Sequence, residues 1–319
     1  MTTPNDFNNL KELIKYFSDE KVCWQHLEFQ RWNGKPTCPH CGAEKPYRLS
    51  NEKTFKCSNK ECRKKFTATV GTIFENTKIP LSTWFAAIYL CTSSKKGVSS
   101  CQLARQLGVT QKTAWFVLHR VREMLKEKAP FMLENAVEVD ETFIGGKEKN
   151  KHASKKVRTR TGTAPRGRSL EGKTPVLGIV ERDGRVLAIP VKDTSSSTIQ
   201  PIMVEAVKAG TTVYTDEWQG YKGLSAKYNH KVIKHGEGEY VVGVVHTNTI
   251  EGFWGLLKRG IVGIYHQVSA KHLHRYCNEF SYRYNSRKVI DAERFDGTLK
   301  RVEGRLKYKE LIQKTSAAK

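Results

Sequence analysis

Apolar residues along this chain change their spacing near the middle. Up to about Lys126 they recur mostly at helical intervals, and from Ala136 they come as short β-branched runs. Leu10, Leu13, Ile14 and Phe17 predict a helix over Asn8–Phe17, with Trp24, Leu27, Phe29 and Trp32 as further apolar anchors. Tyr47–Leu49 and Thr54–Lys56 read as a small hairpin. Ile79-Pro80-Leu81-Ser82 is a helix start, followed by Trp84, Phe85, Ile88 and Tyr89 at helical spacing. After a break at Gly97–Ser99, Ser100–Leu107 forms a short helix, Gly108 turns the chain, and Thr110 caps a longer helix over Gln111–Lys126. Ala114, Val117, Leu118, Val121 and Leu125 face inward on it. Two helices joined this tightly form a helix-turn-helix; the plain alternative is an αα-hairpin within a bundle.

The second half alternates differently. Val137-Glu138-Val139-Asp140 is a buried strand that ends at its acid and breaks at Gly145-Gly146. Val176–Val180 and Val186–Ile189 form a hairpin around Asp183-Gly184. Ser197–Ala209 is a helix, Thr212–Thr215 a strand leading to Asp216, and Lys231–Ile233 a short strand. Helices follow over Thr249–Arg259 and Ser269–Asn285, the latter with Leu273, Tyr276, Cys277, Phe280 and Tyr284 on one side. Three strands, a helix, a strand and a later helix carrying a carboxylate is the order of a ribonuclease-H-like α/β domain. The expected fold is therefore multidomain α/β. It comprises a helical segment (1–34), a zinc ribbon (35–70), a helix-turn-helix (78–128), a ribonuclease-H-like domain (135–290) and a basic tail of unread role (291–319).

Charge narrows the partner. The 319 residues hold 55 Lys and Arg against 32 acids, a formal charge of +23 that points to a polyphosphate. Lys147–Lys173 concentrates ten of these bases beside two acids, with few apolar residues, inside the last large domain. It reads as an insertion loop that orders on a DNA backbone through Lys155, Lys156, Arg158, Arg160, Arg166 and Arg168, rather than as a merely solvated loop. No apolar run reaches the roughly 18 residues of a membrane span. The polar, mixed-charge stretch Met1–Lys21 is not a secretory signal, and the cysteine usage suits a reducing compartment.

Four of the eight cysteines carry chemistry. Cys38-Pro39-His40-Cys41 and Cys57-Ser58-Asn59-Lys60-Glu61-Cys62 are short loops, each able to supply two thiolates to one tetrahedral zinc ion. The 15 residues between them suit the hairpin above. His40 is surplus to a four-thiolate shell. Cys23, Cys91, Cys101 and Cys277 read as small buried apolar residues.

Asp140, Asp216 and Glu251 supply carboxylate oxygens of the kind hard Mg²⁺ requires. Glu138 shares a strand face with Asp140 and Glu141 opposes it; Asp140 is preferred because it stands where the strand ends. Asp216 is preferred to Glu217 on the same ground. Glu251 has a structural rival role, since Asn248-Thr249-Ile250-Glu251 matches a capping box. Against that, Lys258 lies two turns further along the same helix face, where it suits a neighbouring phosphate.

The zinc ribbon, the helix-turn-helix, VDETFIGGK (139–147 within Val139–Lys147), YTDEW (Tyr214–Trp218) and HTNTIEGFWGLLKRG (His246–Gly260) together resemble bacterial insertion-sequence transposases of the DDE type, in the zinc-ribbon lineage related to Merlin elements. The resemblance spans most of Cys38–Arg287, and Glu251 keeps the third position acidic where some relatives carry asparagine. It implies Asp140, Asp216 and Glu251 as a catalytic triad, the last two 35 residues apart. It implies two Mg²⁺ (or Mn²⁺) ions per site, beside one structural Zn²⁺. The implied activity binds terminal inverted repeats, cuts the ends by hydrolysis and joins 3′ ends to target DNA, in the cytoplasm at the nucleoid. Double-stranded DNA is the partner, and a dimer or larger assembly on it is expected. Gln111, Lys112, Thr113 and Trp115 would begin the recognition helix, Lys258 and Arg259 would hold end phosphates, and Trp218 or Trp254 would stack on an unpaired base. His246 would touch the scissile phosphate or order its own loop. The rival functions are a DNA-binding regulator without catalysis and a ribonuclease-H-type nuclease or resolvase.

Overall fold

The computed structural model describes residues 7–127, 131–145, 172–233 and 246–313. The chain divides into two compact units, Met1–Lys126 with Ser286–Lys319, and Glu127–Asn285.

The first unit opens with α1 (Leu10–Tyr16), whose first turn is capped by the Asn9 side chain accepting from the Glu12 N–H. The apolar anchors that follow lie on a second helix, α2 (Glu20–Trp32), capped by Asp19 and closed by Asn33 in the left-handed region. Leu27 is buried on it, whereas Phe29 is exposed. The zinc-ribbon segment is a three-stranded antiparallel sheet, β1 (Tyr47–Arg48), β2 (Thr54–Lys56) and β3 (Lys65–Thr67). The third strand was not legible in the spacing. It brings Phe66 onto Phe55, rings 5.5 Å apart and stacked, and Trp32 of α2 packs edge-on to both.

Then come α3 (Leu81–Ser93), α4 (Ser100–Leu107) and α5 (Gln111–Met124). Ser99 and Thr110 cap α4 and α5 through their side chains, and Gly108 ends α4 at φ 64°. This is the helix-turn-helix, and all five residues expected to face inward on α5 are buried.

The second unit is built on a five-stranded sheet. Its strands are β4 (Ala136–Ile144), β5 (Thr174–Glu181), β6 (Val186–Pro190), β7 (Thr212–Asp216) and β8 (Asn229–Ile233), in spatial order β6-β5-β4-β7-β8. β4–β5 and β5–β6 are antiparallel, and β4–β7 and β7–β8 parallel. That is the ribonuclease-H-like topology. Side chains alternate across the sheet. Val137, Val139, Leu177 and Ile179 pack on one face with α6 (Ser196–Ala206). Val176, Val180 and Ala188 pack on the other with α7 (Asn248–Gly260) and α8 (Ala270–Asn285).

β4 corrects one expectation. The strand does not end at Asp140; it runs on to Ile144, paired throughout with β5. The paired ladder with β7 is what stops, at Glu138–Tyr214. Asp140 therefore stands where two parallel strands part, and the same register carried two residues further sets it beside Asp216.

The described part of the stretch read as a basic tail, 291–313, carries two helices. α9 (Asp291–Leu299) and α10 (Tyr308–Ile312) complete the first unit. Phe295 is fully buried against Phe7, Phe17 and Phe85, and Asp296 pairs with His26 at 2.9 Å. Its apolar positions Ala292, Phe295 and Leu299 do have helical spacing.

Candidate active site

Asp140 is the hinge of the site. Trp254 on α7 donates its indole N–H to Asp140 Oδ2 at 2.9 Å. Burial, then the charge of Asp216, with a smaller push from Glu251, lift the Asp140 carboxyl to about 6. The Trp254 bond acts the other way. Both other acids are thus close enough to oppose ionisation of Asp140. Asp216 Oδ1 accepts the N–H of Trp218 at 2.9 Å, which fixes the turn after β7.

Glu251 lies in the first turn of α7 and is exposed. It does not form the capping box its sequence allows. The N-cap is Thr247, without a side-chain cap bond; its hydroxyl donates to Glu251 Oε1 at a long 3.4 Å. The free N–H groups at this end go to Glu138 instead. Its carboxylate accepts from the N–H of Thr249 at 2.8 Å and of Ile250 at 3.0 Å, and from the Thr249 hydroxyl at 2.9 Å. A carboxylate here also faces the positive end of the helix dipole. The Glu138 side chain is fully buried and paired with Arg182 Nε at 2.6 Å. Glu251 is left available for a ligand.

α7 can sit this close because Gly178, opposite Asp140 on β5, has no side chain. A Cβ there would come within 2.6 Å of Trp254 Cη2 and 2.8 Å of Ile250 Cδ1. Glu141 points to the other face, where buried Tyr221 donates to it. Burial first, then the charges of Asp140 and Asp216, push Glu141 up to about 7, against that bond. Neither Glu138 nor Glu141 had a role in the sequence reading. For Glu138 the available signal is an acid between two valines inside a strand, which must find partners when buried.

The donor set suits divalent metal: oxygen-only, acidic, and mutually repelling until a cation is present. The three carboxylates are spread, however. Among the described residues, only Cys38, Cys41, Cys57 and Cys62 form a group of three or more His, Cys, Asp or Glu with ligand atoms all within 4.8 Å of one another. Sulfur separations of 3.9 Å (Cys38–Cys62) and 3.5 Å (Cys41–Cys57) match the edge of a tetrahedron of about 3.8 Å set by Zn–S bonds of about 2.3 Å. This set fits a structural zinc ion.

The remaining expected residues divide by exposure. Lys258 and Arg259 lie exposed in the last turn of α7. Trp218 is exposed on its ring and holds the Thr194 carbonyl through its indole N–H. Trp254 is core, not a stacking platform. His246 Nδ1 lies 3.3 Å from Glu138 Oε1 and 3.2 Å from Arg182 Nη2, at the entry to α7. On α5, Gln111 and Lys112 are exposed, Lys112 with its ammonium 5.1 Å from the Tyr308 ring; Thr113 is bonded to Thr110, and Trp115 packs on His119. Lys155, Lys156, Arg158, Arg160, Arg166 and Arg168 lie outside the described residues.

With this geometry established, similarity to known proteins can be placed on it. Residues 132–285 match the ISXO2-like transposase domain, and residues 18–65 the transposase zinc-ribbon domain. The chain is 31 % identical over 277 residues to an uncharacterized protein in transposable element ISH50 of Halobacterium salinarum, spanning 85 % of this chain and 92 % of that protein. The chain belongs to the insertion-sequence transposases of the zinc-ribbon lineage. This transposase is also 27 % identical over 106 residues to an uncharacterized transposase-like protein of Haemophilus influenzae, 33 % of this chain and 85 % of that one. Among solved structures it is similar to the Mos1 strand transfer complex at 16 % identity, covering 69 % of this chain and 75 % of that chain, with a TM-score of 0.28. A pre-cleavage Mos1 transpososome gives 15 % identity, coverage of 70 % and 80 %, and a TM-score of 0.24. Likeness at that level carries no argument, and the fold rests on the strand order itself. No helix among the described residues is long and apolar enough to cross a membrane.

Proposed function

We propose that this transposase binds the terminal inverted repeats of its element, cleaves the ends by metal-dependent hydrolysis and joins the 3′ ends to target DNA. One observation carries the reading: Asp140 stands where β4 and β7 part, two residues beyond their last pair as Asp216 is, and besides burial the charges of Asp216 and Glu251 raise its carboxyl. Such a cluster is unfavourable without a cation and suited to two. Asp140, Asp216 and Glu251 would together hold two Mg²⁺ (or Mn²⁺) ions. When bound, such ions would activate a water or the DNA 3′-hydroxyl for attack on phosphorus and stabilise the charge on the leaving oxygen.

The chain's own residues do the placing. Trp254 holds one oxygen of Asp140 and leaves the other to a ligand. The Trp218 N–H fixes the Asp216 carboxylate at the end of β7. Lys258, two turns beyond Glu251 on the same face of α7, and Arg259 beside it would hold the phosphate backbone of the end, and the exposed Trp218 ring offers a surface for an unpaired base. Gln111, Lys112, Thr113 and Trp115 would read duplex DNA in its major groove, assisted by the bases of 147–173. Double-stranded DNA as ligand, a dimer or larger assembly on paired ends, and action at the nucleoid in the cytoplasm belong to the same reading.

The test uses the full chain, duplexes bearing the element's ends, and Mg²⁺ or Mn²⁺. Asp216→Asn should abolish cleavage and leave end binding unchanged. Cleavage at the wild-type rate by Asp216→Asn would rule the mechanism out; wild-type chain that binds ends but never cuts would leave a DNA-binding regulator.

A further inference from the structure

We propose that Glu138 is a positioning residue for the metal site, setting the depth and direction of α7 and thereby the place of Glu251. The inference rests on the reading of Asp140, Asp216 and Glu251 given above.

Glu138 and Asp140 are two residues apart on β4, so both point to the face that α7 covers. Each holds that helix at a different point. Glu138 takes the N–H groups of Thr249 and Ile250; Asp140 takes the indole of Trp254. Glu251 lies between those two points along the helix. A helix attached at one end can pivot, whereas one attached on both sides of a ligand cannot shift that ligand without breaking a bond. Gly178 sets the floor beneath, since Trp254 and Ile250 pack directly over it.

The cost of burying Glu138 implies that its partners are specific. A fully buried carboxylate is strongly unfavourable unless charge and hydrogen bonds compensate it. Here Arg182 supplies the charge from the β5–β6 turn, and its Nη2 also donates to the His246 carbonyl at 2.7 Å. The same guanidinium lies 4.2 Å over the ring of Tyr214, the β7 residue in register with Glu138. Glu138, Arg182, Tyr214 and His246 thus tie β4, β7 and the entry to α7 at one point, two residues before the strand positions of Asp140 and Asp216. An apolar residue at 138 would pack the sheet equally well but leave the start of α7 unanchored.

The test measures Mn²⁺ binding by titration calorimetry on the zinc-loaded full chain, with thermal unfolding and end cleavage alongside. Glu138→Gln keeps an oxygen acceptor of similar size but not the charge. It should fold with its zinc and bind Mn²⁺ about tenfold more weakly, the scale typical of groups that orient a metal ligand. Its cleavage should fall and recover in part at raised Mn²⁺. Thr249→Ala, which removes a single hydroxyl donor at a half-buried site and leaves the backbone bonds to Glu138, should weaken Mn²⁺ binding about two- to threefold, less than the roughly tenfold or more expected when a whole orienting group is lost. If both variants bind Mn²⁺ as the wild type does, and only unfolding temperature drops, Glu138 is a structural cap and the proposal is overturned. Asp216→Asn separates the two levels. Loss of Mn²⁺ binding and cleavage in it, beside unchanged binding in Glu138→Gln, overturns the positioning role alone. Retained binding and cleavage in it overturn the metal-site reading beneath.

Discussion

The zinc site and the proposed cation site are built on opposite principles. The zinc site draws its ligands from two short loops within 25 residues, Cys38–Cys62, and the sulfurs already lie at tetrahedral spacing. The acid site draws on β4, β7 and α7, across more than a hundred residues, and its carboxylates remain spread. Thiolate loops form a site by local geometry. Carboxylates need a sheet to deliver two and a docked helix to deliver the third, and until a cation arrives they repel. The first kind of site contributes to folding; the second costs stability for the sake of chemistry.

The sharpest break between them is metal removal. Stripping zinc should unfold the β1–β3 ribbon, because its own core is little more than Phe55, Phe66 and Trp32. Structural zinc is typically worth on the order of 10 kcal/mol. Circular dichroism and hydrogen exchange should register the loss in residues 38–67, while Mn²⁺ binding at the acid site persists. Withdrawing Mg²⁺ or Mn²⁺ alone should unfold nothing.

Gly178→Ala probes the packing that the acid site requires. The added methyl meets Trp254 and Ile250, and overpacking of this kind costs about 1–3 kcal/mol. Chemical denaturation should show that loss, and cleavage should fall further than end binding, since Trp254 must move off Asp140.

Asp140→Asn should do the reverse for stability. Asp140 is raised from 3.8 to about 6, so in the absence of added Mg²⁺ or Mn²⁺ its ionised form is disfavoured by folding. The folded state then holds its proton more tightly than the unfolded chain. This group's penalty is absent below about pH 4, grows as pH rises, and is full above about pH 6. The zinc-loaded Asn variant should therefore gain about 1–3 kcal/mol at pH 8 and almost nothing at pH 4, while losing Mn²⁺ binding and cleavage. A variant that loses stability at pH 8 would contradict the electrostatic account.

The smallest effect belongs to the first unit. Thr110 caps α5 through the Thr113 N–H, and Thr110→Ala should cost about 1 kcal/mol in that unit's unfolding, leaving the acid site unaffected.

What the sequence revealed follows the same division. Cysteine spacing, the capped helices around Gly108 and the β-branched runs of the sheet are local signals, and the structure bears them out. The acids were chosen with an incomplete reason. Asp140 is not at a strand end; it is where β4 and β7 diverge, a property of two strands that neither sequence segment contains. Glu138 yields to Asp140 on the strand-end argument, and its own role is not legible because its partners, Thr249, Ile250 and Arg182, lie 44 or more residues away. The capping box at Asn248–Glu251 is a sound local motif that loses to this distant carboxylate. The C-terminal helices were missed because the base-rich composition of 291–319 obscured the Ala292, Phe295, Leu299 stripe.

The central claim is that Asp140, Asp216 and Glu251 form one cation site. Crystals of the full chain soaked in Mn²⁺, with diffraction recorded for anomalous scattering, test it most directly. The account predicts manganese within coordination reach of Asp140, shared with Asp216 on one side and Glu251 on the other. Manganese bound elsewhere, or no peak near Asp140 with Glu251 directed into solvent, would contradict it.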